Sequence, residues 1–205
     1  MIYNRQPLVV HRPDSFFIEL TIDEWERSCL MGTKRHVASE RARLNLRFGS
    51  KRDILGDITS MHAEHAFAIF SGEHWHQIER DATDLIENAK GPDVGTYQVR
   101  HAFGARNSSL IIRDNDRDDE VFVLVLGQHR LYEITGCIRA KDAKQSRWRC
   151  APDKSRPDAW MIPCVDLNPV HSLQLPNKDR FSERETVSLV RSAWKEKYGN
   201  LSKAS

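Results

Sequence analysis

The run Val121-Phe122-Val123-Leu124-Val125-Leu126 constrains the fold of this chain more than any other stretch. An uninterrupted apolar run of this length predicts a strand buried on both faces, because a strand with one wet face alternates apolar and polar residues. Such a strand needs covering layers on both sides. Three neighbours supply further strand patterns: residues 96–103, residues 109–113 around Leu110-Ile111-Ile112, and residues 131–138, which alternate through Tyr132, Ile134 and Gly136. Phe16 to Leu20 reads as a short strand, and Trp160 to Val165 as an apolar stretch ahead of Asn168-Pro169.

Helices frame these strands. Thr21 followed by Glu24 forms a capping-box pattern, and a helix is expected from Ile22 to about Leu46, with Gly32 as its breaking point and Trp25, Cys29, Val37 and Leu44 as its buried stripe. A second helix is expected over Asp57–Phe70, with Glu64 in its middle and small Ala63, Ala66 and Ala68 permitting close packing. Ser182 with Glu185 marks the start of a last helix reaching about Tyr198. The expected class is α/β, a central mixed sheet of about four to five strands flanked by helices. The expected organisation is residues 1–56 as a strand and basic helical segment packed on the core, 57–145 as the core, and 146–205 as a basic segment with the C-terminal helix.

With 205 residues, 40% hydrophobic and 29% charged, the chain has the composition of a soluble globular protein. No run of about 18 apolar residues is present, and the N-terminus lacks a signal-peptide pattern, so a cytoplasmic location is expected. Cys29, Cys137, Cys150 and Cys164 form no close pair, which argues for free thiols rather than a zinc site. Net charge is only +2, yet it is segregated. Arg27 to Arg52 carries eight Lys or Arg against Glu40 alone; Asp53 to Asp93 carries nine acids against Arg80 and Lys90; Cys137 to Trp160 is basic again. Cationic surface beside an acidic centre suits a phosphate-backbone ligand and a metal site, although a single charge run is usually only a solvated face. Arg27, Lys34 and Arg41 recur every seven residues and so share a helix face. Trp148 stands between Arg147 and Arg149, where an aromatic could stack on a base while the cations meet phosphates. These six are the candidate nucleic-acid contacts.

The stretch Gly91-Pro92-Asp93 turns into Tyr97-Gln98-Val99-Arg100, where Gln98 and Arg100 share one face and Val99 points into the core. Hydrolysing a phosphodiester with metal ions requires carboxylates to hold them and a cation beside the phosphate. Glu64, Asp93, Gln98 and Arg100 could supply that set. Each residue also has a plain structural reading: Asp93 as a turn residue bonding its own backbone, Glu64 as solvent-facing, and Arg100 as an ion-pair partner of Glu64.

The stretches "HAEHAFAIF", "PDVGTYQVR", "LIIRDNDRDDEVFVLVLG" and "ITGCIRAKDAK", followed by "AWMIPCVDLNP", resemble the PD-(D/E)XK, or restriction-endonuclease-like, nuclease superfamily in its small phage-type members. The resemblance covers under half of the chain. It implies a restriction-endonuclease-like sheet, and Mg²⁺ or Mn²⁺ held by Glu64 and Asp93. Gln98 would then be a neutral ligand and Arg100 an electrostatic helper. Gln replaces the second strand acid and Arg replaces the lysine, which preserves charge stabilisation but removes a proton donor or acceptor. The resemblance therefore implies a nucleic-acid-binding protein, DNA favoured, acting as a metal-dependent endo- or exonuclease. The alternative is a catalytically inactive accessory or interaction protein of a phage or mobile element, engaged in replication, recombination or host takeover.

Two further patterns are weaker. Asp114, Asp116 and Asp118 open like an EF-hand loop, but Asp119 and Val125 fail its sixth and twelfth positions, so a solvated hairpin connection is expected. His62, His65, His74 and His76 cluster without a zinc-protease order and read as exposed or core-edge histidines.

Overall fold

The computed structural model describes residues 15–41, 54–76, 91–103, 108–151 and 157–175. The chain is α/β. In order it forms β1 (Phe16–Glu19), α1 (Ile22–Arg41), α2 (Ile54–Ser71), β2 (Tyr97–Ala102), β3 (Ser109–Ile112), β4 (Val121–Gln128), β5 (Leu131–Arg139), α3 (Ala140–Ala143), β6 (Arg149–Cys150) and β7 (Ala159–Pro163). Four strands make a mixed sheet in the order β1-β5-β4-β2, with β2 parallel to β4 and the other pairs antiparallel. A second, antiparallel sheet has the order β3-β7-β6.

The apolar run of β4 explains both layers. Val123 and Val125 face one core with Met61 and Phe67 of α2 and with Tyr97 and Val99 of β2. Phe122 and Leu124 face a second core with Leu110 and Ile112 of β3 and Ile162 of β7. All four β4 residues are fully buried, each worth about 1.5–3 kcal/mol relative to exposure. Helices thus cover one face of the main sheet and the small sheet covers the other.

Three sequence expectations are corrected. The 113–120 connection is no hairpin: β4 already has β5 and β2 beside it, so β3 pairs with β7, with Leu110 opposite Ile162, and the connection passes between sheets. Gly32 does not break α1, which continues through it. A Cβ on Gly32 would lie 2.5 Å from Ile58 Cα, so the glycine lets α1 and α2 touch. The buried face of α1 is accordingly Ser28, Gly32, Ala38 and Ser39, while Val37 is exposed and Trp25 and Cys29 are half-buried. The expected continuation to Leu46, Leu44 itself and the helix after Ser182 lie outside the described residues.

The capping box forms as expected: the Thr21 amide donates to Glu24 Oε2 at 2.7 Å, and the Glu24 amide to Thr21 Oγ1 at 3.3 Å. β1 pairs with β5, and β7 with β3, so the described parts of the first and last expected segments are built into the sheets of the middle one. No helix among the described residues is long and apolar enough to cross a membrane.

Candidate functional site

Asp57 and Glu64 lie seven residues apart on α2 and so share a face. Both are buried. Arg35 follows Gly32 by one turn of α1, at the close crossing that the glycine permits. Its Nη1 donates to Glu64 Oε1 at 3.1 Å, and its Nε stands 3.4 Å from Asp57 Oδ1. Trp75 Nε1 donates to the other Glu64 oxygen at 3.3 Å. His36 Nδ1 meets Asp57 Oδ2 at 3.0 Å. One guanidinium therefore serves two buried carboxylates, and the expectation of a solvent-facing Glu64 is overturned.

Asp93 joins this centre from the mouth of β2. Its amide donates to Tyr97 O at 2.9 Å, closing the turn, and its Oδ2 accepts the Val99 amide at 2.8 Å. Gly95 takes φ +54°, and a Cβ there would lie 2.8 Å from Glu73 Oε2; only glycine fits this corner without strain. Burial, then the charge of Asp93, push the Glu64 carboxyl up to about 8, against the pull of Arg35 and the Trp75 bond. Burial works against the Arg35 charge, but Glu64, Asp57 and Asp93 together outweigh it.

Gln98 and Arg100 do not join Glu64. Strand alternation puts them on the face opposite Tyr97 and Val99, beside Phe122 and Leu124. Gln98 Nε2 donates to Glu120 Oε1 at 3.2 Å and to Gly91 O at 3.3 Å. Arg100 Nη2 donates to Asp116 Oδ1 at 3.2 Å, with its guanidinium carbon 4.7 Å from the Phe122 ring centre. The four residues are thus divided by the sheet: Glu64 and Asp93 act on one another, while Gln98 and Arg100 face the second core. The physical reason is that Val99 must enter the helix-side core, which turns its neighbours away. The cation beside Glu64 is Arg35, which the sequence offered only as one of eight in a basic run.

Mg²⁺ demands near-octahedral oxygen ligation at about 2.0–2.1 Å. Here both Glu64 oxygens accept hydrogen bonds, Asp93 Oδ2 caps the strand, and a guanidinium holds the carboxylates together. Among the described residues no group of three or more His, Cys, Asp or Glu side chains could hold a metal ion. The residues as placed do not fit Mg²⁺ or Mn²⁺ shared by Glu64 and Asp93.

The candidate nucleic-acid residues divide similarly. Arg27 and Lys34 are exposed on α1; Arg41 is its last residue, with its side chain outside the described set. Arg147 is exposed and lies 4.0 Å over the Trp148 ring. Trp148 is not a free stacking surface: it is 7% exposed, belongs to the second core and donates from Nε1 to Asp166 Oδ2 at 3.1 Å. The half-buried aromatic of this region is Trp160, with Arg149 4.3 Å and Lys144 5.8 Å from its ring centre. The histidines of α2 are buried at the helix interface. His62 Nε2 is 3.3 Å from Trp25 O, and burial lowers its pKa to about 4; His65 stacks on Trp75 at 4.3 Å.

No protein-family model, no curated protein and no solved structure matches this chain.

Proposed function

We propose that this protein binds nucleic acid, DNA foremost, on a nuclease-like α/β scaffold, as a non-hydrolytic accessory module of the kind a phage or mobile element uses in replication, recombination or host takeover. The observation that carries this reading is the pair of features set against one another. The buried carboxylate centre is filled by the Arg35 guanidinium, whereas Lys144 and Arg149 stand beside the half-buried Trp160 and the exposed Arg147 lies over the buried Trp148 ring. Cations backed by aromatic rings suit a phosphate backbone with bases beside it. Fluorescence anisotropy with labelled single- and double-stranded DNA and RNA tests it. Binding that weakens steeply with salt supports the reading, since phosphate contacts release counterions; salt-insensitive binding, or none, defeats it.

A second reading, a phosphodiester hydrolase, is favoured by one observation: Asp93 acts electrostatically on a buried Glu64 whose carboxyl holds its proton unusually tightly, and such perturbed groups concentrate at functional sites. Incubation of supercoiled and single-stranded substrates with Mg²⁺ or Mn²⁺ decides between the two. Cleavage by the wild type that Glu64→Gln abolishes would establish the hydrolase; no cleavage leaves the accessory module.

A further inference from the structure

The acidic connection between β3 and β4 carries aspartates at alternating positions, and each grips a cation from a different element. Arg149 donates to Asp114 through both prongs of its guanidinium, Nη1 to Oδ1 at 2.9 Å and Nη2 to Oδ2 at 3.3 Å. Arg100 of β2 donates to Asp116. Lys144, just after α3, donates to Asp118 Oδ1 at 2.6 Å and to Asp116 O at 2.7 Å. Asp158 adds a longer approach to Arg149, at 4.0 Å. A two-pronged Arg–carboxylate contact has the geometry with which arginine grips a phosphate.

We propose that Asp114 and Asp118 are internal stand-ins for backbone phosphates, masking a nucleic-acid surface formed by Arg149 and Lys144 beside Trp160, and that nucleic acid binds by displacing them. The inference rests on the nucleic-acid reading above and specifies its surface. The two aspartates suit displacement because their side chains are 63% and 64% exposed, and exposed ion pairs are weak enough to exchange. Asp116 plays another part. Its side chain is 11% exposed and its Oδ2 accepts the Arg113 amide at 2.8 Å, which holds the turn itself. The loop therefore keeps its shape while its two outer carboxylates swing away. Masking of this kind would make the protein discriminate against lone anions: a single phosphate must compete with a tethered carboxylate, whereas a polymer offers several phosphates at once.

The test is a cycle of full-length variants measured by anisotropy on a DNA oligonucleotide at low salt. Asp114→Asn combined with Asp118→Asn is expected to tighten binding by about five-fold, the scale of an exposed ion pair. Asp114→Asn made in an Arg149→Gln background is expected to give no gain, because the cation it unmasks is gone. Unchanged or weaker binding in the first variant overturns the proposal. So does a gain that persists without Arg149, which would mean that Asp114 acts only through the general field. Failure of the wild type and the variants alike to bind any nucleic acid overturns the nucleic-acid reading, and this proposal with it; wild-type binding unaffected by the substitutions overturns this proposal alone. Circular dichroism melts of each variant confirm that the compared proteins are folded.

Discussion

Glu64 and Asp57 are buried acids, and the Arg35 guanidinium lies against both. A buried pair is costly to assemble and costlier to break. Arg35→Met, which keeps the bulk and removes the charge, is expected to lower unfolding free energy by about 3–5 kcal/mol at alkaline pH, where Glu64 is ionised, read by urea denaturation. The loss should shrink as pH falls through about 8, where Glu64 takes up a proton and no longer needs its partner. The wild type carries a related signature. Glu64 binds its proton more tightly in the folded chain than in the unfolded one, with its pKa raised from the ordinary 4.5 to about 8. Between those values the folded state holds the extra proton, so the stability Glu64 contributes is complete below the lower value and is lost as pH rises through the upper. Relative to Glu64→Gln, the wild type should therefore lose stability from about pH 4.5 to about pH 8. A constant difference across that range would contradict the raised value. None of this pairing was legible in the sequence: Arg35 and Glu64 lie 29 residues apart, and what joins them is the helix crossing that a glycine makes possible.

Elements were more legible than their pairings. The capping box fixes the start of α1 because Thr21 and Glu24 satisfy one another's amides locally, and local bonds are written in local sequence. The double burial of β4 was legible because an apolar run admits no wet face. The partner of β3 was not: every residue it pairs with on β7 is distant in the chain, from Ser109↔Pro163 to Ile112↔Trp160, and nothing local distinguishes a hairpin from a crossing between sheets. Gly32 shows the same limit. Read alone it suggests a break, yet its missing Cβ is what the α1–α2 contact uses. Gly32→Ala normally stabilises a helix by about 1 kcal/mol through propensity. Here the added Cβ would meet Ile58 Cα at 2.5 Å, and overpacking costs about 1–3 kcal/mol. A lowered thermal midpoint is expected; a raised one would mean that the helices part without cost. Trp148→Phe removes the bond to Asp166 and is expected to cost about 1 kcal/mol of stability, with nucleic-acid affinity unchanged within about two-fold. Weaker binding at unchanged stability would restore Trp148 as a base-stacking residue.

At the scale of the whole molecule, β4 is the common wall of two cores, and the two candidate sites use opposite sides of the same sheet. The helix side buries its carboxylates around Arg35; the other side carries Arg100, Lys144, Arg147 and Arg149 with the acidic connection between the sheets. The alternation of β2 makes this division, since Val99 and Arg100 cannot face the same way. Charge segregation was visible in the sequence, and so was the association of basic residues with tryptophan, but which tryptophan remains at the surface depended on tertiary packing. The most direct measurement is DNA affinity as a function of salt for the wild type and for the Lys144→Gln, Arg147→Gln, Arg149→Gln triple variant. For a cationic phosphate-binding surface, log affinity should fall linearly with log salt. The triple variant should bind more weakly and with a slope shallower by about two to three, since each phosphate that a cation neutralises adds about 0.9 to the slope. Equal affinity and equal slope in the two proteins would contradict that surface.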